Sequence, residues 1–187
     1  FAAKGGHNGE QHNHNDVGSF ILFYNGNPVL IDAGVGTYTR ETFGKERYTI
    51  WTMQSDYHNV PLINGAAQQN GRNFTSRNSF FSAAKDKVRF STEISAAYPK
   101  EAQVKNWQRA YQLDRGKKFT ISDVYQLIEK KGETRLHFLT TLSNQQTKPG
   151  ELLLKGDGFE LLMQYDPKSI SAKVEEKDID DPKLQNA

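Results

Sequence analysis

Phe20-Ile21-Leu22-Phe23-Tyr24-Asn25-Gly26-Asn27-Pro28-Val29-Leu30-Ile31-Asp32 is the stretch that decides the fold class. Phe20 to Tyr24 is a continuous apolar run, Asn25-Gly26-Asn27 supplies a tight turn, and Val29-Leu30-Ile31 returns, so the segment reads as a β-hairpin. Asp32 ends the second strand, where Gly34 and Gly36 loosen the backbone. Beyond it, Tyr38 to Met53 has mixed periodicity and predicts a short helix or an irregular loop. Val60 to Ile63 followed by Asn64-Gly65 reads as a further strand and turn.

The rest of the chain repeats the β pattern. Val88, Phe90, Thr92 and Ile94 alternate with Arg89, Ser91 and Glu93, giving one buried and one wet face. Trp107, Tyr111 and Leu113 lead into the Asp114-Arg115-Gly116 turn, and Phe119, Ile121, Tyr125 and Leu127 return from it. Leu136, Phe138, Thr140 and Leu142 predict another strand, as do Phe159, Leu161 and Met163. Short strands separated by Gly, Asn and Asp turns predict an all-β fold, an antiparallel β-sandwich. No internal repeat, linker or second domain is evident.

Composition narrows the class. A length of 187 residues suits a single domain, which usually holds about 100–200. The mean hydropathy of −0.74 is low, yet 11 Phe, 8 Tyr and 2 Trp supply enough bulk for a folded core. Only the acidic, Pro- and Lys-containing tail after about residue 174 reads as peripheral. A formal charge of +2 is too small for a nucleic-acid binder. The absence of cysteine excludes disulfides and thiolate metal sites, and no apolar run approaches the ~18–20 residues that span a bilayer. The chain opens Phe1-Ala2-Ala3-Lys4 without an initiator Met, close to its chemistry-bearing residues. It is therefore expected to be a fragment of a longer multidomain enzyme, and the lack of a visible signal peptide carries little weight.

Three of the five histidines fall in His12-Asn13-His14-Asn15-Asp16 and Tyr57-His58-Asn59, on either side of Ile31-Asp32-Ala33-Gly34. Imidazoles and a carboxylate brought from separate strands are what a divalent ion such as zinc requires. The competing reading is that these Asn- and His-rich segments are simply polar loops.

Taken as an ordered set, Gly5-Gly6-His7-Asn8, His12 to Phe20, Pro28 to Gly34, Tyr38 and His58 to Gly65 resemble the heparinase II/III-like polysaccharide lyases. Members of that family join an α-helical toroid to a C-terminal β-sandwich, and this chain resembles the sandwich alone. The resemblance implies a zinc ion, usually structural, held by His14, Asp32 and His58. A water would complete the tetrahedron. The cupin barrel also uses a His-x-His pair, but it wants a Glu a few residues on, where this chain has Gly18 and Ser19.

The resemblance also implies a reaction: β-elimination in a uronate-containing acidic polysaccharide such as heparan sulfate, alginate or another uronan. Such a reaction needs neutralisation of the carboxylate, a base and an acid. In relatives the first His of the pair lies by the substrate, so His12 is the candidate base or charge neutraliser, or else supports the zinc shell by a hydrogen bond. Tyr48, among Lys45, Glu46 and Arg47, is the candidate catalytic tyrosine, with Tyr38 and Tyr57 as competitors. Arg47 and Arg40 are candidates to hold carboxylate or sulfate, and His7 to line the cleft. Asn13, Asn15 and Asp16 are expected to fix their loop through local backbone hydrogen bonds. His137, Trp51 and Trp107 read as ordinary sheet or core residues.

The resemblance places the parent enzyme in the periplasm or outside a bacterial cell. It names the toroid as the missing partner and predicts that the isolated sandwich is nearly inactive. Two other readings remain: a metal-stapled module that binds carbohydrate or packs on a partner domain without catalysis, and a zinc hydrolase with an open ligand position.

Overall fold

The computed structural model describes residues 1–185. In chain order the strands are β1 (Ala2–Ala3), β2 (His7–Asn8), β3 (Phe20–Tyr24), β4 (Asn27–Leu30), β5 (Pro61–Leu62), β6 (Gly71–Thr75) and β7 (Arg77–Ala83). There follow β8 (Lys87–Glu93), β9 (Val104–Asp114), β10 (Lys118–Leu127), β11 (Arg135–Leu136), β12 (Ser143–Lys148), β13 (Glu151–Gly156) and β14 (Phe159–Gln164). The one α-helix among the described residues, α1 (Pro182–Gln185), is a single turn. No helix among them is long and apolar enough to cross a membrane.

The pairing is antiparallel throughout. A four-stranded sheet runs β10-β9-β8-β7, and three-stranded sheets run β1-β3-β4 and β12-β13-β14, with two small pairs, β11-β5 and β2-β6. The fold is the expected all-β sandwich. The hairpin closes with Tyr24 opposite Asn27, and Asn25 and Gly26 take φ of 48° and 84°. Both turn residues thus adopt the positive φ of a hairpin turn whose twist matches that of the strands.

The inner faces meet through aromatic rings. Phe20 on β3 packs on Tyr111 of β9 and Phe119 of β10, with centroids 5.2 and 5.5 Å away. Val29, Leu30 and Leu154 complete this cluster, which joins the three larger sheets. A second cluster gathers Val17, Ile63, Ile94, Tyr98 and Trp107. Asp123 falls on the inner face of β10, where an isolated carboxylate would be strongly unfavourable. The fully buried Arg109 across the ladder meets it with Nε–Oδ1 and Nη2–Oδ2 bonds of 2.8 and 2.9 Å. Trp107 Nε1 donates to the same carboxylate at 2.7 Å.

Two segments differ from the alternation pattern. Glu41 to Tyr57 forms four successive 3₁₀ turns, closed by i→i+3 backbone bonds such as Gly44 N to Glu41 O (3.0 Å). The strand expected over Leu136 to Leu142 is regular only at Arg135–Leu136. Beyond it, Leu139 donates to the Asn59 carboxamide at 2.7 Å and accepts from Ile31 N at 2.9 Å, so a side chain interrupts the ladder.

Candidate metal centre and the adjoining groove

The hairpin and the 3₁₀ turns bring three distant residues to one end of the sandwich. One ligand atom from each of His14, Asp32 and His58 lies within 4.8 Å of the others. The His14 and His58 rings are 5.2 Å apart, centroid to centroid. Asp32 Oδ2 meets His58 Nδ1 at 2.8 Å, and Asp32 Oδ1 accepts from Gly34 N at 2.8 Å.

Each ligand is held by structure outside the triad. Asn15 N donates to Met53 O (3.1 Å), and Ser55 Oγ donates to Asn15 O (2.7 Å), fixing the backbone beside His14. Val17 N and Val17 O both bond the buried Gln68 carboxamide, at 2.9 and 2.7 Å. Beside His58, the Asn59 amide donates to Phe20 O (2.7 Å) and Ile31 O (2.9 Å). Arg109 Nη1 donates to Asn59 O at 2.8 Å. The site is thereby tied to both strands of the hairpin and to the core ion pair.

The residues fit a divalent metal. The fully buried His58 turns its Nδ1 to Asp32 Oδ2 at 2.8 Å, and the His14 ring lies 5.2 Å from the His58 ring, so the three donors converge on one point. Nε2, on the far side of the ring, has no hydrogen-bond partner. Burial first, and then the neighbouring His58, lower the His14 pKa below its ordinary value. The ring is therefore neutral, as a metal ligand must be. At Asp32 burial is the largest influence and opposes ionisation, but the hydrogen bond and charge of His58, the Gly34 N–H and His14 together outweigh it, and the pKa falls below the usual carboxylate value. Two imidazoles and one carboxylate match zinc's preference for nitrogen and oxygen donors.

Next to the triad lies an open groove of about 300 Å³, lined by Glu10, Gln11, His12, Asn13, Thr42, Phe43, Gly44, Arg47 and Tyr48. His12, Arg47 and Tyr48 are thus brought together, although they come from different segments. His12 is exposed and has a φ of 57°, which a non-glycine residue seldom adopts. Arg47 Nε donates to Asn13 O at 2.9 Å and Nη1 to Thr42 O at 2.8 Å, while its buried Nη2 has no partner. Asn13 Nδ2 donates to Tyr48 Oη at 3.3 Å.

Arg40 and His7 do not line the groove. Arg40 is exposed at the head of the first 3₁₀ turn. His7 on β2 accepts from Gly9 N at 3.1 Å and reaches Glu10 at 3.3 Å. Of the competing tyrosines, Tyr38 stacks on Phe43, and Tyr57 packs edge-on against Trp51. Trp107 is a core residue with no exposure. His137 is half-buried; its backbone N–H bonds Val60 O at 3.3 Å, while its Nδ1 has no partner.

Sequence reasoning did not find the long-range roles of Asn13 and Asn59. Asn13 reaches Tyr48 rather than local backbone, and Asn59 bonds three separate segments. Carboxamides in an Asn-rich stretch carry no mark distinguishing a loop residue from a buried cross-brace.

The family model "Heparinase II/III-like, C-terminal" matches residues 1–183. A solved heparinase III structure with methylated lysines is similar at a TM-score of 0.64 and 19% identity. The match covers 82% of this chain and 23% of that one, so this chain spans about a quarter of the length of that structure. At that identity the likeness establishes the fold alone. No curated protein matches the chain significantly. The family match extends over nearly the whole sequence, from the first strand through the C-terminal tail, and the chain belongs to the heparinase II/III-like C-terminal family.

Proposed function

We propose that this chain is the metal-stapled sandwich of a polysaccharide lyase that cleaves a uronate-containing acidic polysaccharide by β-elimination. The observation that carries the reading is the groove, which gathers His12, Arg47 and Tyr48 beside the His14, Asp32 and His58 cluster. His14, Asp32 and His58 would hold zinc, which when bound stabilises the loops as a structural ion.

The chemistry asks little beyond positioned charge and proton carriers. Arg47, which lines the groove, would bind the uronate carboxylate and favour charge developing at the adjacent carbon. His12 would accept the proton from that carbon. As the carbon–carbon double bond forms, the bond to the leaving sugar oxygen breaks, and Tyr48 would return a proton to it. Tyr48 accepts a hydrogen bond from Asn13, so its own hydroxyl proton remains free to donate. A toroid domain would supply the opposite wall of the cleft, and the enzyme would act in the periplasm or outside a bacterial cell.

The test is His12→Ala in the full-length enzyme, with turnover read as unsaturated uronate and metal measured in the same sample. The expected result is a loss of about 100-fold or more in kcat with zinc retained. Full activity in that variant would instead leave a non-catalytic carbohydrate-binding or domain-packing module. The isolated sandwich is expected to show almost no turnover.

A further inference from the structure

Phe43 is the least expected residue at the groove. It is 72% exposed in an otherwise polar surround, yet it is held in place. Its turn is anchored by the buried Thr42, whose Oγ1 accepts from Thr39 N at 2.9 Å and whose carbonyl accepts from Arg47 at 2.8 Å. The Phe43 ring stacks on Tyr38 at 5.5 Å and 29°, and Lys183 lies 5.1 Å from the Tyr38 centroid. An aromatic platform is therefore built at the rim and left uncovered.

We infer that Phe43, braced by Tyr38, is the stacking floor of a sugar subsite that receives a pyranose ring of an acidic oligosaccharide next to the one held by Arg47. The inference rests on the lyase reading of the groove and adds an apolar contact to it. A pyranose ring presents a C–H face to an aromatic ring while its hydroxyls and carboxylate point sideways. Phe43 offers the face, and Arg47, Gln11 and His12 offer the polar edge. An apolar protein partner would need a contiguous apolar area, whereas the groove around Phe43 is mostly polar or charged. The acidic Glu10 in the lining is turned to His7, with Oε1 3.3 Å from its Nε2.

The experiment is calorimetric titration of the chain with size-defined alginate and heparan sulfate tetrasaccharides. Phe43→Ala is expected to raise Kd about tenfold, and Phe43→Trp to restore it, with bound metal unchanged in both. If Arg47→Lys weakens binding but Phe43→Ala leaves Kd within about twofold, the platform is overturned and the groove reading stands. If neither saccharide binds the unaltered chain, both fall. If Phe43→Ala instead dissociates an oligomer, the ring belongs to a self-contact and the subsite is overturned.

Discussion

Asp32 Oδ2 lies 2.8 Å from Nδ1 of His58, while Nε2 of the same fully buried ring meets no hydrogen-bond partner. The carboxylate orients one side of the imidazole, and the other side carries a lone pair or proton with nothing to satisfy it. Leaving a buried polar atom unpaired costs about 1–3 kcal/mol. A bound ion would sit on the Nδ1 side, between that nitrogen, the Asp32 carboxylate and the third donor, His14, and would not itself reach Nε2.

Metal binding should therefore be measurable as stability. Dialysed protein is expected to hold about one zinc per chain, and a chelator should lower Tm. With free metal at about a thousand times Kd, linkage supplies about 4 kcal/mol, or on the order of 10 °C for a chain this long. Elemental analysis with thermal unfolding checks both. His14→Ala and His58→Ala should each lose the ion, and a metal content that survives both substitutions would refute the site.

Acid should weaken the metal-free fold with a defined sign. The folded-state pKa values of His14 and Asp32 are both depressed, from ordinary values of 6.5 and 3.8. The unfolded chain therefore takes up these protons more readily than the folded one. The stability they contribute is present above those ordinary values and is lost as pH falls through the lower folded ones. Urea midpoints measured from pH 7 to pH 3 should fall, and Asp32→Asn should flatten the lower part of the curve. Zinc retention should follow the same direction, because protons compete for the donors.

Asn59→Ala is expected to destabilise the sandwich far more than an ordinary polar truncation. It strips partners from Phe20 O, Ile31 O and Leu139 N, all near the buried end of the hairpin. At about 1–3 kcal/mol per unsatisfied group, the loss should reach about 3 kcal/mol or more in urea unfolding. Asn59→Asp should be no better. A carboxylate can accept from Leu139 but repels the two carbonyls that the amide now bridges.

These residues also show what a sequence can and cannot reveal. The hairpin is legible because Asn25-Gly26 sits between apolar runs and because both turn residues need positive φ. The histidines and Asp32 alone suggest only a metal-binding pattern; the resemblance to the heparinase II/III-like family singles out His14, Asp32 and His58, and the fold places those three together. By contrast, β7 is exposed along its whole length and β12 is wholly polar, so neither shows two-residue alternation. Asp123 interrupts an apolar face and makes sense only with Arg109 placed opposite by the ladder. Asn59 looks like any loop asparagine until the fold brings three segments within reach of one carboxamide.

The tail after residue 174, expected to be peripheral, runs along the loop and turns that carry the groove. Asp181 accepts from Thr37 N at 2.5 Å and Thr37 Oγ1 at 2.9 Å, and Lys183 Nζ reaches Gly36 O at 3.4 Å. Lys177 lies 5.5 and 5.4 Å from the ring centroids of Trp51 and Tyr57. These contacts fall on both sides of Arg47 and Tyr48 in sequence, so the tail braces the segment that positions them. Because the contacts lie mainly at the surface, their global contribution should be modest, and Asp181→Ala should move the urea midpoint little. The local effect should be larger: removing residues 175–187 is expected to speed proteolysis and amide exchange within residues 36–57 several-fold, while the β8–β10 sheet keeps its protection. Mass-resolved exchange on the intact and shortened chains separates the two regions. Equal protection of residues 36–57 in both would show that the tail merely lies on the surface it touches.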